Sequence, residues 1–420
     1  MATRASLISR ALLVCALGYL IDVADVHLFA VLRVASLADL GVPAAMTSRV
    51  AGWILNAQMA GMLAGAFLWG YLGDRLGRLK ALYGSIVVYS LGALGCAFAR
   101  GPLAYGVLRA VTGFGVAGET GAAVTLVAEL MPALERGWGV ALISGVAFLG
   151  PVLVIFASAL MPWRHVYAVA GACGLGLLLL RLELVEPEVF RKAQGHENRP
   201  GSWRLLLQPA QARAAVQCLA LGLPLIYAWS LLNFFSLELG GAVTHGAPFR
   251  QKVCLMVFYV GASAGDVLSA LASQLWGSRR KSLAVFLGAG AALSAAFLLL
   301  GPRLWLTARQ LYAVYFALGV CGGCWALFTI IAAEHFGTNI RATTSIVIAN
   351  LARGFTVPMV FAFQALGGAM SVTHAAALIG GALYLVGFAA LTGLRETHGA
   401  DLDYVETLER RSAGPLEPAG

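Results

Sequence analysis

Charge is scarce in this chain. Of 420 residues only 12% are Asp, Glu, Lys or Arg, against about a quarter in soluble domains, which excludes an ordinary water-soluble enzyme. No polar stretch is long enough for a soluble domain, and no phosphate-binding loop, nucleophile elbow or metal-hydrolase motif occurs. An ATP-driven pump is thereby disfavoured, and neither enzymatic activity nor a cofactor is expected. The net charge of +9 does not point to nucleic acid, because the basic residues punctuate apolar runs and form no continuous basic face. Cysteines number seven. They lie almost entirely within apolar stretches, and an odd number at such depth argues against a disulfide framework.

What is present in excess is apolar surface: 60% of residues are hydrophobic, with a mean hydropathy of +0.81. Roughly 20 apolar residues make one bilayer crossing, so the chain has room for about a dozen spans in a lipid bilayer. Fifty glycines are spread along the apolar stretches without a collagen period, which reads as close helix packing and broken helices. The N-terminus, MATRASLISRALLVCALGYL, superficially resembles a signal peptide. Its apolar run continues past any cleavage point and carries Asp22 and Asp25, so it reads as a retained first span.

Hydropathy and charge breaks predict an all-α membrane protein of twelve transmembrane helices, near 8–35, 48–72, 80–99, 102–130, 137–161, 164–184, 213–241, 250–276, 281–300, 306–334, 342–367 and 374–395. The longest polar stretch between spans, near 185–212, divides the chain into an N-terminal six-helix half (1–184) and a C-terminal one (213–395), with a tail at 396–420. Of the Lys and Arg residues, nineteen fall on one side of this arrangement and eight on the other, with Arg109 and Arg353 inside spans. That asymmetry puts both termini and the central loop in the cytoplasm, and the protein in the cell's inner membrane. An internal repeat supports the division: Glu129-x6-Arg136 recurs as Glu334-x6-Arg341, 205 residues on. Gly77-Arg78-Leu79-Lys80 is echoed more weakly by Ser278-Arg279-Arg280-Lys281. Two six-helix halves joined by a parallel repeat are a secondary-transporter architecture with the substrate path between them.

Residues 70–82 read GYLGDRLGRLKAL, which resembles the loop 2–3 signature of the major facilitator superfamily with every fixed position filled, Asp74, Arg75, Gly77 and Arg78 among them. The likeness covers the whole chain through its twelve spans, central loop and repeated Glu-x6-Arg. Segments 109–132 and 332–345 are similar to those of sugar porters and metabolite:proton symporters. Asp22-Val-Ala-Asp25 is similar to the D-G-F-D element of aromatic-acid and organic-acid proton symporters, with the two middle residues changed. The second-half echo SQLWGSRRKSL carries no acid where Asp74 would repeat. The resemblance implies a monomeric transporter of the major facilitator fold. It also implies a cytoplasmic gate of Asp74, Arg75, Arg78, Glu129 and Arg136, repeated by Glu334 and Arg341, in which Asp74 caps a helix of the other half.

Intramembrane ionisable residues mark the path itself. Asp22 and Asp25, three apart, share a helical face, and a pair of carboxylates in a low-dielectric span suits proton uptake and release; permanent pairing with Arg33 or Arg109 is the alternative. Glu119, a solitary carboxyl in a glycine-rich span, is the reserve proton carrier. Arg109 either holds a substrate carboxylate or anchors its helix end by snorkelling. Asp266, Asn350 and Arg353, with Tyr227, Trp229, Asn233 and Trp325, offer charges, hydrogen bonds and ring faces to a metabolite. His27 lines a cavity or packs. Cys321-Gly-Gly-Cys324 has no second pair, so it reads as packing beside a kink, and copper transport is disfavoured. The reading that follows is a proton-coupled symporter of a small polar metabolite, an organic anion or a sugar-like compound. Proton-driven efflux of hydrophobic compounds and a non-transporting membrane sensor are the alternatives.

Overall fold

Inside a bilayer every backbone N–H and C=O must be satisfied within the protein, so apolar stretches of this length form helices. The computed structural model describes residues 2–76, 78–131, 136–181, 208–337 and 340–399, and these hold helices and no strand. Among them run twelve rods: α1 (Ala2–Asp39), α2 (Thr47–Leu76), α3 (Arg78–Ala97), α4 (Pro102–Leu130), α5 (Arg136–Ala147, then Gly150–Leu160), α6 (Trp163–Arg181), α7 (Pro209–Tyr227, Ala228–Asn233, Ser236–Thr244), α8 (Gln251–Leu275), α9 (Arg279–Leu304), α10 (Ala308–Gly322, then Trp325–Glu334), α11 (Arg341–Gly354, then Thr356–Leu366) and α12 (Val372–Gly393). Most of the central loop and the tail beyond 399 lie outside the described residues. So do the side chains of Asp74, Arg75, Arg78, Glu119, Glu129 and Arg136.

Five rods are interrupted, each beside a proline, which removes a rung of the ladder, or a glycine, which weakens it. Pro151 opens the second piece of α5, Pro224 precedes a π turn in α7, and Gly301-Pro302 follow one in α9. Gly322 and Gly323 break α10, and Gly354 ends the first piece of α11. Such breaks free backbone groups, and they are tolerated at membrane depth only where protein or a cavity covers them.

The helix ends repeat. α1 stops at Asp39 and α7 at Thr244; α5 starts at Arg136 and α11 at Arg341, each pair separated by 205 residues. Packing repeats too: α2 lies on α4 and α8 on α10 through backbone contacts that only glycine permits. A Cβ on Gly61 or Gly65 would run into the carbonyl oxygens of Ala110 and Phe114; one on Gly261 or Gly265 would meet those of Phe316 and Val320. Small residues allow this closeness where no hydrophobic effect drives helices together. The most extensive contacts between the first six rods and the last six are those of α2 and α4 on α11 and of α5 on α8 and α10. α9 and α12 lie outside, less buried than the rest of the second set. Exposed Leu91, Leu179, Val285 and Leu385 face outward to lipid.

The close α2–α4 contact gives a stability test. Gly65→Ala must push two backbones apart, an overpacking cost of about 2 kcal/mol, and should lower the thermal midpoint of the purified protein. Gly381→Ala, where a Cβ meets nothing within 4 Å, should leave the midpoint unchanged or raise it slightly. Equal midpoints for the two variants would contradict the packing described.

Candidate substrate cavity

Where the broken helices meet, a cavity of about 60 Å³ lies between the first and last six rods. That is room for about four waters. Its walls come from seven rods: His27, Phe29 and Ala30 of α1, Leu55 and Met59 of α2, Phe148 of α5, Trp229, Ser230 and Phe234 of α7, Tyr259 of α8, Trp325 of α10 and Arg353 of α11. Six of the fifteen lining residues are Phe, Trp or Tyr, and Val23, Val26 and Ile226 add aliphatic surface. The Trp229 ring lies 4.5 Å from Phe148, 5.2 Å from Phe258 and 5.7 Å from Tyr259, and its Nε1 donates to the Gly322 carbonyl (3.2 Å) that the α10 break exposes. His27 stands edge-on to Tyr259 at 5.0 Å. Its Nδ1 lies 2.8 Å from the Val23 carbonyl, which can only accept, so Nδ1 carries the hydrogen.

One charge faces this ring of aromatics. The Arg353 guanidinium sits 4.7 Å over the Trp325 ring, a cation–π contact. It interacts electrostatically with the Tyr19 hydroxyl and with Asp22, and donates to Asn350 Oδ1 at 3.4 Å. Asn350 Nδ2 in turn donates to the Ile346 carbonyl (2.8 Å) and across to the Ala117 carbonyl of α4 (3.1 Å). Trp325 Nε1 donates to Tyr19 Oη at 3.0 Å, tying α10 to α1. Trp325 and Asn350 thus contact Arg353 directly, with Asp22 near enough to act on it electrostatically; of these four, Trp325 and Arg353 line the cavity.

Asp25 has other partners. Both aspartates are buried, but Asp25 turns to Arg109, whose Nη1 lies 3.7 Å from its carboxylate and whose Nη2 donates to its backbone carbonyl at 2.8 Å. Arg109 Nε also donates to Gln58 Oε1 (3.2 Å), and Gln58 Nε2 to the Val26 carbonyl (2.9 Å). The two acids of the first span therefore answer to different arginines, one from the second set of helices and one from the first. Arg109 does not line the cavity and does not snorkel; it is wholly buried. Asn233 also sits behind the cavity wall, beside the Tyr259 hydroxyl, and Tyr227 is directed at α12, where its hydroxyl donates to the Ala376 carbonyl at 3.0 Å. Asp266 lies under the start of the second piece of α10.

One end of the cavity is closed by two contacts between α1 and α7. Phe29 meets Phe234 with ring centroids 6.1 Å apart, and Arg33 donates to Glu238 at 2.9 Å with its guanidinium 4.5 Å over Phe234. Each partner follows the other by the repeat offset of 205 residues. A residue that touches its own repeat mate lies on the axis relating the two, so that axis passes through this closure.

At the opposite end of the last six rods, Glu334 takes a bidentate pair from Arg279, Nε to Oε2 at 2.8 Å and Nη2 to Oε1 at 2.9 Å, both side chains buried. Arg341, also buried, donates from Nε to the Ala333 and Phe336 carbonyls at 3.2 Å each. Outside the spans, Glu396 receives the Ser278 hydroxyl and the Arg279 N–H. Burial pushes its carboxyl up, but these bonds outweigh it and hold the group below the ordinary range.

Sequence reasoning missed Tyr19, Gln58, Tyr259, Glu238 and Arg279. Two of these were within reach: adding the repeat offset to Arg33 lands on Glu238, and the basic echo at 278–281 contains Arg279.

Comparisons with known proteins agree with this architecture. A family profile described as Major Facilitator Superfamily matches residues 9–357. The gentisate transporter of Corynebacterium glutamicum is 27% identical over 315 residues, 71% of this chain and 68% of that protein. The 3-(3-hydroxy-phenyl)propionate transporter of Escherichia coli K12 is 29% identical over 299 residues, 70% of this chain and 71% of that one. Among solved structures, the proton:xylose symporter XylE bound to 6-bromo-6-deoxy-D-glucose superposes with a TM-score of 0.71 at 18% identity, over 95% of this chain and 98% of that one.

The α1–α7 closure can be tested by charge removal. Glu238→Ala strips buried Arg33 of its counter-charge and should destabilise the protein by about 3 kcal/mol. The double variant Arg33→Leu/Glu238→Leu removes both charges and should recover most of the loss in thermal unfolding. A Glu238→Ala variant that unfolds with the wild-type protein would show that the pair carries no stability.

Proposed function

The chain belongs to the Major Facilitator Superfamily, and from that premise we propose that it carries an aromatic carboxylate across the cell's inner membrane by proton-coupled symport. The observation that carries this reading is Arg353 standing over the Trp325 ring in a cavity walled by aromatic side chains. A guanidinium binds a carboxylate through two parallel hydrogen bonds, and ring faces take the arene. Gentisate and 3-(3-hydroxyphenyl)propionate, named for two relatives, are both aromatic carboxylates.

Coupling follows from Arg353 having two suitors. While Asp22 is ionised, its negative charge acts on the guanidinium. Once Asp22 takes a proton, the full positive charge of Arg353 is open to the substrate carboxylate, so proton and anion load together. Their joint loading leaves the site neutral, which is the condition for the halves 1–184 and 213–395 to rock about it. Release of the substrate at the other face returns Arg353 to Asp22 and expels the proton. The Asp25–Arg109 pair is satisfied within the first six helices and holds α1 against α4 throughout the cycle. The excess of Lys and Arg in the loops on one side supports an orientation with both termini in the cytoplasm. Protein partners and nucleic acid have no part in this reading, and a single chain suffices.

Proteoliposomes decide it. Wild-type protein should accumulate labelled gentisate against its gradient when the outside is acidified. Asp22→Asn should lose that accumulation while still exchanging labelled for unlabelled substrate, and Asp25→Asn should not show this split. Arg353→Ala should weaken gentisate binding by about tenfold or more, the worth of a charged hydrogen bond. Undiminished pH-driven accumulation in Asp22→Asn would refute the coupling.

A further inference from the structure

The second piece of α10 begins at Trp325 without a capping side chain of its own: Cys324 occupies the cap position and its side chain makes no capping bond. A helix start buried in a membrane protein needs partners for its free N–H groups. Here a neighbouring helix supplies one. Asp266 of α8, wholly buried, accepts the Ala326 N–H on Oδ1 at 3.0 Å, and the Trp325 N–H also faces it. The same turn of α8 grips the break from below. A Cβ on Gly323 would run into the Ala262 carbonyl and Gly265 Cα, and Ser269 Oγ donates to the Gly323 carbonyl at 3.3 Å.

We propose that Asp266 is a positioning residue for the cavity: as a cap supplied from another helix, it fixes the start of the second piece of α10 and so sets the Trp325 ring under Arg353 and against Tyr19. A side-chain oxygen suits the place because it accepts the free N–H groups of the helix start. Its other oxygen, Oδ2, meets no donor among the described residues, so an amide in its place removes no bond. Trp325 is the first helical residue, so any loosening of the start displaces its ring. That moves the wall that orients Arg353 without touching the substrate. The consequence for transport rests on the cavity reading above; the capping itself does not.

The full-length protein in lipid nanodiscs tests this by hydrogen–deuterium exchange of peptides spanning 322–330. Asp266→Ala should speed exchange there about tenfold, with α1 and α5 peptides unchanged. Asp266→Asn, which keeps the acceptor oxygen, should exchange as the wild type does. In gentisate uptake Asp266→Ala should raise KM about tenfold with kcat little changed, and Asp266→Asn should restore KM. Wild-type exchange at 322–330 in Asp266→Ala, or equal acceleration across all helices, would overturn the proposal. Should Asp266→Ala not fold, Asp266→Asn decides alone, since loss of protection at 322–330 despite the retained oxygen also overturns it. If exchange responds as expected but no variant, wild type included, takes up gentisate, the substrate reading fails and the capping stands.

Discussion

A charge removed from water into a bilayer-spanning bundle is tolerable only beside an opposite charge or backbone groups that bond it, and most of this structure can be understood from how that constraint is met. Arg109 is matched by Asp25, Arg33 by Glu238, and Arg279 by Glu334. The first and third pairs lie within one set of six helices and bind it together. The second joins the two sets and therefore must part whenever the α1–α7 closure opens. Arg353 differs from all three: its acid, Asp22, comes from the opposite set of helices, and it faces a cavity. Arg353 is a buried charge shared between the two sets of helices and facing the cavity, which is where we propose that a proton and an anion are exchanged for each other.

The aromatic wall and the broken helices serve that place. Gly322 and Gly323 interrupt α10 just before Trp325, and the exposed Gly322 carbonyl is taken by Trp229, another wall residue. The interruption thus orients two rings at once. Trp325 then holds Arg353 from below and Tyr19 from the side. Backbone irregularity, ordinarily costly at this depth, is repaid in precise placement of side chains around the site.

Much of the fold was legible in the sequence because the bilayer imposes one length and one period on every span. The charge breaks mark all twelve rods to within a few residues, and the Glu-x6-Arg repeat gives the offset at which α5 and α11 begin. The site was legible only in part. Residue types identified Asp22, Asn350, Trp325 and Arg353 as candidates, and the structure brings these four together. Spacing on one helix suggested that Asp22 and Asp25 act as a pair, but helical spacing says nothing about which neighbour each acid meets, and α4 and α11 claim them separately. Tyr19 and Tyr259 carried no signal at all, being single aromatic residues among many in apolar runs. Their importance comes from a crossing of helices that are distant in sequence.

Proton uptake on substrate binding tests the central claim, that Arg353 trades Asp22 for a substrate carboxylate. Calorimetric titration of gentisate into the purified protein, repeated in buffers of different ionisation enthalpy, counts the protons taken up as the ligand binds. The account predicts uptake approaching one proton per gentisate in the wild type above the acidic range and none in Asp22→Asn. Binding without proton uptake in the wild type, or uptake that persists in Asp22→Asn, would contradict it.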